Sequence, residues 1–289
     1  MCDHDDFDEF SRRSGKLTRR RFGLLAMSAG LAAALPRLAN AAKIEAMNVT
    51  IKTLDGSADA YFVHPAKGTH PAVLIWPDIF GLRPAFKDMA TRLAQSGYAV
   101  LVVNPFYRTK KAPTAPDNAD FNDPATRQAL MALAGTLSSD TTLTDAKAFV
   151  SYLDEQPAVD KMRKMATIGY CMTGPFVLRT AAAFSDRIGA GATFHGGGLV
   201  TDKPDSPHLL ISQMKAHFLV AIAENDDSKQ PTAKDTLRDS FAKANLPAEV
   251  EVYPGTMHGW CPTDSHVYNR EQAEKAWSRM LALFSTSLA

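Results

Sequence analysis

The sequence has little cysteine and almost no net charge. Three cysteines in 289 residues, with no C-x-x-C pair and no Cys/His cluster, exclude a disulfide-stapled scaffold and give no indication of a zinc site. The 32 Lys and Arg residues nearly balance the 31 Asp and Glu residues, which leaves a net charge of +1. So small an excess gives no electrostatic reason to bind nucleic acid, and we expect no such partner.

Glycine-rich phosphate-binding loops, internal repeats and coiled-coil heptads are also absent from the sequence. We therefore expect neither a metal nor an organic cofactor. Hydrophobic residues make up 45% of the chain and charged residues 22%, which is the balance of an ordinary globular protein.

The N-terminal segment differs in character from the rest of the chain. The apolar stretch after RRRF (19–22) ends near Leu35, short of the roughly 20 residues that a transmembrane helix needs. Paired arginines before phenylalanine and a weakly hydrophobic run resemble a twin-arginine export signal. Residues 39–41 (ANA) have the small-x-small pattern that signal peptidase cleaves. We predict a signal peptide over residues 1–41; an uncleaved amphipathic anchor is the alternative.

This signal implies that the twin-arginine export machinery carries the protein to the periplasm or out of the cell, with no stable membrane insertion. Residues 42–289 then form one α/β domain of ordinary size. Cleavage removes Cys2 and leaves Cys171 and Cys261 in a compartment where disulfides can form.

Strand-like and helix-like segments alternate along residues 42–289. Alternating residues around Gly56 predict an antiparallel hairpin at a sheet edge, and the apolar runs 71–77 and 98–103 predict central strands buried on both faces. Further strands are predicted at 165–170, 188–196, 217–223 and 248–254, and helices at 85–97, 123–136, 140–155, 175–184, 232–244 and 266–284. This alternation predicts an α/β fold with a mostly parallel sheet and helices on both faces. In such a sheet the ligand lies at the carboxyl ends of the strands.

One cysteine lies where a predicted strand meets a predicted helix. Cys171 is the centre of GYCMTG (169–174), and small neighbours are what a sharp strand-to-helix elbow requires. At a helix N-terminus the macrodipole favours a thiolate, and the Met172 amide is free to donate to an oxyanion. A buried, inert thiol is the other interpretation, because free cysteine is among the most buried residues.

A histidine and two acids follow the last predicted strands. His258 comes after the final strand, past Gly255, and Asp226 and Asp227 come after the strand before it. The order nucleophile, acid, histidine is that of a hydrolase triad, in which the acid orients the imidazole and stabilises its charged form. We favour Asp226 as the acid and keep Asp227 as the second candidate, because two adjacent loop acids can also form a solvated turn.

The cysteine elbow, the acid loop and the histidine loop, in this order along the chain, resemble those of the dienelactone hydrolase family, the cysteine-nucleophile members of the α/β-hydrolase fold. The resemblance runs from about Val49 to the C-terminal helix. It is carried by PDIFGLRPAFKDMATRLAQSGYAVLVVNPFYR (77–108), IGYCMTG (168–174), AENDD (223–227) and PGTMHGW (254–260).

The resemblance implies that the chain hydrolyses a small ester or lactone through an acyl-enzyme on sulfur. The implied triad is Cys171, His258 and Asp226, and the implied oxyanion hole consists of the amides of Met172 and Ile79. The family usually has glycine two residues after the nucleophile, and Thr173 at that position predicts a tighter elbow.

The resemblance also assigns two residues near the thiol. Asp78 stands where the family has a glutamate that holds the resting thiol, and Arg127 is the candidate for one of two arginines that bind the substrate carboxylate in the family's dienelactone enzymes. The second arginine is expected just past the triad histidine, where this chain has Cys261 and Pro262. The resemblance therefore does not extend to dienelactone itself as the substrate.

Two other functions stay open: a binding protein on an inactivated hydrolase scaffold, and a redox role in which Cys171 pairs with Cys261. A complete set of triad residues argues against the first, and the absence of C-x-x-C argues against the second. We favour a packing role for Cys261 and a structural role for His195 at a strand end. Whether residues 109–122 form a lid stays open.

Overall fold

The computed structural model describes residues 43–289, which are organised by an eight-stranded sheet. The strands are β1 (Ile44–Thr53), β2 (Gly56–Pro65), β3 (Ala72–Trp76), β4 (Ala99–Val103), β5 (Met165–Tyr170), β6 (Ile188–Phe194), β7 (His217–Ala223) and β8 (Ala248–Tyr253). Their order in the sheet is β1-β2-β4-β3-β5-β6-β7-β8. Strand β2 is antiparallel to both of its neighbours, and every other pair is parallel.

Helices cover both faces of this sheet. They are α1 (Pro84–Gln95), α2 (Pro124–Ala134), α3 (Ser139–Glu155), α4 (Gly174–Ala183), α5 (Glu224–Lys229), α6 (Ala233–Lys243) and α7 (Arg270–Ser287). Helices α3, α4 and α6 bury Phe149, Leu178 and Phe241 in one hydrophobic cluster. Helices α1 and α7 bury Leu93 and Trp277 in the other. Every residue of β3 and β4 is buried, as expected of strands covered on both faces.

The α/β architecture predicted from the alternating pattern is confirmed, including the antiparallel hairpin that turns at Gly56. Two local predictions differ from the structure. Residues 224–229 form the short helix α5 where a loop was expected. The last helix begins at Arg270 rather than at residue 266, because the Asn269 side chain caps it by accepting a hydrogen bond from the Gln272 N–H.

The predicted signal peptide lies outside the described residues. Among the helices of residues 43–289, none has both the length and the apolar character needed to cross a membrane.

Parallel strands bring their carboxyl ends to one edge of the sheet. The loops after β3, β5, β6, β7 and β8 therefore meet there. These loops contain Asp78, Cys171, His195, Asp226 and His258. The topology thus gathers the candidate residues that the sequence scatters over 181 positions, from residue 78 to residue 258, counting both ends.

Candidate active site

Cys171 lies at a sharp turn between β5 and α4. Its backbone φ is +57°, in the left-handed region that residues other than glycine rarely adopt. Both flanking glycines are required by packing. A Cβ on Gly169 would lie 2.6 Å from the Thr173 carbonyl oxygen, and a Cβ on Gly174 would lie 2.8 Å from the Gly196 Cα. The segment is therefore a strand-to-helix elbow that presents the cysteine side chain.

Thr173 fastens the elbow to the neighbouring strand. Its hydroxyl oxygen accepts a hydrogen bond from the Tyr170 N–H at 2.9 Å and lies 2.9 Å from the carbonyl oxygens of both Trp76 and Tyr170. The side chain is fully buried. The tighter elbow predicted for this threonine thus has a physical form: one hydroxyl links the end of β3 to the end of β5.

The structure brings Asp226 to His258, and gives Asp227 a different partner. The Asp226 Oδ2 lies 2.8 Å from the His258 Nδ1. Asp227 instead pairs with Lys234, whose Nζ lies 2.7 and 2.8 Å from its two carboxylate oxygens. The Asn225 side chain also accepts a hydrogen bond from the His258 N–H at 2.8 Å, which fixes the histidine backbone.

His258 also lies near Cys171, whose charge affects its imidazole. Burial by itself lowers the pKa of the imidazole, but the neighbouring Cys171 and the Asp226 carboxylate outweigh burial and hold the pKa well above its usual value. The His258 Nε2 is buried and has no hydrogen-bond partner among the described residues. A protonated imidazole that pairs with a carboxylate and lies near a cysteine can support a reactive thiolate.

His195 reaches this site, which sequence reasoning did not anticipate. It directly follows β6 with a φ of +42°, and its side chain has 0% exposure. Its ring meets the His258 ring nearly edge-on, with 5.0 Å between centroids. Both ring nitrogens lack a hydrogen-bond partner among the described residues. Burial, followed by the nearby His258, lowers the pKa of His195 well below its usual value, so its ring stays neutral.

The loop after β3 offers a backbone donor at the same edge. The Phe80 N–H donates to the Asp78 carboxylate at 3.0 Å, and the Gly81 N–H donates to the Asp78 carbonyl oxygen at 2.9 Å. Between them, the Ile79 N–H donates to no described residue. The Met172 N–H belongs to the first turn after the elbow, where N–H groups have no partner within the helix. The role of these two N–H groups as oxyanion donors stays a prediction.

Asp78 lies in this loop but does not contact the thiol. Its two oxygens lie 2.6 and 3.0 Å from the two terminal nitrogens of Arg83, and none of its hydrogen bonds to the described residues involves Cys171. Arg83 also pairs with Asp264, whose carboxylate accepts a hydrogen bond from the Arg83 Nε at 2.7 Å. The expectation that Asp78 holds the resting thiol is therefore not what this structure shows.

Arg127 lies in the first turn of α2, after the capping residue Asp123. Its side chain forms no hydrogen bond or ion pair with any residue that the structure describes. Its predicted role in binding a substrate carboxylate gains no contact here and stays a prediction.

The second thiol is more buried than the first. Cys261 is buried in a small cavity that Tyr170, Phe194 and Trp277 also line, whereas Cys171 is partly exposed. Both cysteines are free thiols in the structure. Burial raises the pKa of Cys261 well above its usual value, which makes this thiol unreactive. These features favour the packing role over the redox pairing.

Residues 109–122 are attached to the loop after β3. The Thr114 hydroxyl donates to the Phe80 carbonyl oxygen at 2.9 Å, and the Lys110 Nζ donates to the Thr114 carbonyl oxygen at 3.0 Å. Phe121 meets the Phe80 ring edge-on at 6.5 Å. The segment therefore borders the same edge of the sheet as Cys171.

No group of three or more metal-binding side chains occurs among residues 43–289.

The sequence profile of the dienelactone hydrolase family matches residues 58–288. The chain belongs to the dienelactone hydrolase family. It is thus a dienelactone hydrolase-like carboxylic ester hydrolase, as the sequence motifs predicted. The family signal covers the elbow and the acid and histidine loops.

Individual relatives of this dienelactone hydrolase family member agree with that placement. A Synechocystis sp. protein provisionally named a carboxymethylenebutenolidase is 27% identical over 83% of this chain and 96% of its own length. The carboxymethylenebutenolidase of Rhodococcus opacus is 25% identical over 76% of this chain and 83% of its own. A Klebsiella pneumoniae crystal structure, provisionally named a dienelactone hydrolase, has a TM-score of 0.71 at 24% identity and covers 84% of this chain and 99% of its own. The α/β-hydrolase fold is thereby confirmed.

We predict that Thr173→Val destabilises the elbow more than Thr173→Ser. Valine keeps the volume of threonine but leaves the buried Tyr170 N–H without this partner, a loss of about 1–3 kcal/mol. Serine keeps the hydroxyl and loses one methyl group, about 1 kcal/mol. Urea unfolding of the two variants measures the difference, and equal free energies of unfolding would show that the hydroxyl is not needed.

Proposed function

We propose that the protein hydrolyses small esters or lactones through a thioacyl intermediate on Cys171, with His258 as acid and base and Asp226 as its orienting acid. The observation that carries this proposal is the arrangement around His258: a carboxylate lies 2.8 Å from Nδ1, and a nearby cysteine on a left-handed elbow helps to raise the pKa of the imidazole. Nucleophile, base and orienting acid then lie in the order that acyl transfer requires.

In the first half of the reaction, the Cys171 thiolate attacks the carbonyl carbon. The oxygen takes up the negative charge, which the N–H groups of Ile79 and Met172 stabilise. As the C–O bond to the leaving group breaks, the His258 imidazolium gives that oxygen its proton. The product is a thioester between the acyl group and Cys171, with His258 neutral.

In the second half, water replaces the leaving group. Neutral His258 takes a proton from the water as its oxygen attacks the thioester carbonyl, and the same two N–H groups again stabilise the oxyanion. Collapse of this intermediate breaks the C–S bond and releases the acid. The thiolate and the imidazolium are restored, so protons and bonds balance over one turnover.

The substrate class follows from the site and from the names of the relatives. Those names point to a carboxymethylene-substituted butenolide, which is a lactone bearing a carboxylate. The position just past the triad histidine has Cys261 and Pro262 instead of an arginine, and Arg127 makes no contact with the site. We therefore propose small esters and lactones in general, without a required carboxylate.

Cys171→Ala is predicted to abolish hydrolysis of p-nitrophenyl esters and cis-dienelactone while the protein still folds, because alanine has no nucleophile and is small enough for the elbow. Initial rates with and without a thiol reductant measure this, and circular dichroism checks the fold. Turnover above one tenth of wild type in this variant would remove Cys171 from the nucleophile role. Wild-type activity that appears only with reductant would instead favour the redox-gated alternative.

Asp226→Asn is predicted to lower kcat at least about 100-fold and to move the alkaline limb of the pH–rate profile to lower pH. Acylation needs a protonated His258 and is lost as the pH rises through the pKa of that ring, which Asp226 helps to raise. Asp227→Asn is the matched control: it breaks the pair with Lys234 and leaves the profile unchanged. A larger loss in Asp227→Asn than in Asp226→Asn would assign the triad acid to Asp227.

We also propose that the twin-arginine machinery exports the protein to the periplasm or out of the cell. The sequence pattern of residues 1–41 supports this proposal. Replacing Arg19 and Arg20 with lysine is predicted to leave an unprocessed chain in the cytoplasm, as read by cell fractionation and intact mass. Normal cleavage and export of this variant would overturn the twin-arginine route.

A further inference from the structure

Arg83 connects the two loops that flank the thiol. It lies in the loop after β3, immediately before α1, and holds both oxygens of Asp78 at 2.6 and 3.0 Å. Its Nε and one terminal nitrogen donate to Asp264, in the loop that follows His258, at 2.7 and 3.0 Å. The guanidinium also lies over the Phe86 ring, 4.9 Å from its centroid. Nothing in the triad chemistry uses this residue.

The register of the sheet brings Asp78 beside the nucleophile. Strands β3 and β5 are parallel neighbours in which Trp76 pairs with Gly169. Two residues further along each chain are Asp78 and Cys171. Adjacent strands are about 4.7–4.9 Å apart, so these two residues leave the sheet at the same level. An unpaired carboxylate in this position disfavours ionisation of a neighbouring thiol, because like charges repel.

Arg83 removes that repulsion. A bidentate pair between guanidinium and carboxylate is charge-assisted and geometrically rigid, and an arginine keeps its charge at every physiological pH. The Arg83 side chain is 15% exposed and that of Asp78 8%, so solvent screens the pair little. Both acidic partners raise the pKa of Arg83 further, against the effect of burial.

The other titratable groups at this edge do not take over this role. They are Tyr170 at the end of β5, His195 after β6, Asp226 in α5, and His258 and Asp264 after β8. Burial raises the pKa of Tyr170 and lowers that of His195, so both are neutral near pH 7. Asp226 is engaged by His258. Arg83 also pairs with Asp264, but that side chain is 44% exposed and solvent screens its charge. Asp78 is therefore the buried acid at this edge whose charge depends on Arg83 for a partner.

We infer that Arg83 is a positioning residue for the thiol: by holding the Asp78 carboxylate, it keeps that charge away from Cys171, so that the thiolate–imidazolium pair forms before substrate binds. This inference rests on the proposed function, because it concerns the same nucleophile. The inference also explains why Asp78, which is one methylene shorter than a glutamate, does not suppress ionisation of the Cys171 thiol. The nucleophile is then active in the resting protein.

The test is the pH dependence of Cys171 alkylation, which requires no substrate. The full-length protein is treated with iodoacetamide between pH 5 and 10, and mass spectrometry follows the peptide that contains Cys171. Iodoacetamide reacts with the thiolate, so the midpoint of the profile reports its formation. In Arg83→Gln the freed Asp78 carboxylate is expected to raise the midpoint by about one pH unit. At a pH below the midpoints of both wild type and variant, the variant is then alkylated about tenfold more slowly than wild type.

The double variant Arg83→Gln with Asp78→Asn distinguishes charge from structure. It removes the freed Asp78 carboxylate as well, and the Asp264 carboxylate that remains is 44% exposed and screened by solvent. The midpoint is therefore expected to return to within about 0.3 pH unit of wild type. Arg187→Gln is the matched control. Arg187 is similarly buried, with an 18% exposed side chain paired to Asp154 at 2.8 Å, but it precedes β6 at the opposite edge of the sheet. Its midpoint is expected to equal that of wild type.

An unchanged midpoint in Arg83→Gln would overturn the inference, and so would a raised midpoint that persists in the double variant. If Arg83→Gln does not fold, Arg83→Lys replaces it: lysine keeps the charge without the bidentate geometry, and a midpoint between wild type and one unit higher is expected. A wild-type midpoint in that variant would contradict the inference. Hydrolysis by Cys171→Ala would overturn the proposed function instead, and the alkylation profiles are read independently of it.

Discussion

The left-handed backbone of Cys171 is the constraint on which the rest of the site depends. A cysteine with φ of +57° is held there only because its surroundings leave no alternative. Gly169 and Gly174 allow the strand and the helix to approach, and the Thr173 hydroxyl ties the turn to β3. This strained conformation directs the Cys171 side chain away from the end of β5, at the start of a helix and near His258.

Much of the fold was predictable because its causes are local. Buried parallel strands appear as continuous apolar runs such as 72–76 and 99–103, and helices appear as apolar residues at helical spacing. Cys171, Asp226 and His258 follow β5, β7 and β8, and their meeting at one edge also follows from topology, because parallel strands place their carboxyl ends together. Helix α5 was missed because its residues are polar throughout and give no periodic signal.

Side-chain pairing at the site was less predictable, because it depends on which of several partners a group meets in space. Sequence alone could not separate Asp226 from Asp227. The structure separates them because Lys234, in the next helix, forms an ion pair with Asp227. The sequence also contained no indication that Arg83 links Asp78 to Asp264, because Asp264 is distant from both residues along the chain. His195 was interpreted as structural, and only the packing of β6 against the last loop reveals its contact with His258.

Charge at this edge is concentrated but paired: Asp226 with His258, Asp78 with Arg83, and Asp227 with Lys234. In the proposed mechanism, such pairing leaves Cys171 as the nucleophile and the His258 Nε2 as the proton carrier. The most direct test of the account is rapid-quench mass spectrometry of wild-type protein mixed with excess p-nitrophenyl acetate. The account predicts an acetyl group on the peptide that contains Cys171, appearing within the first turnover and lost as substrate is exhausted. Turnover with no acyl adduct on Cys171, or with an adduct on another residue that forms and decays at the rate of turnover, would contradict it.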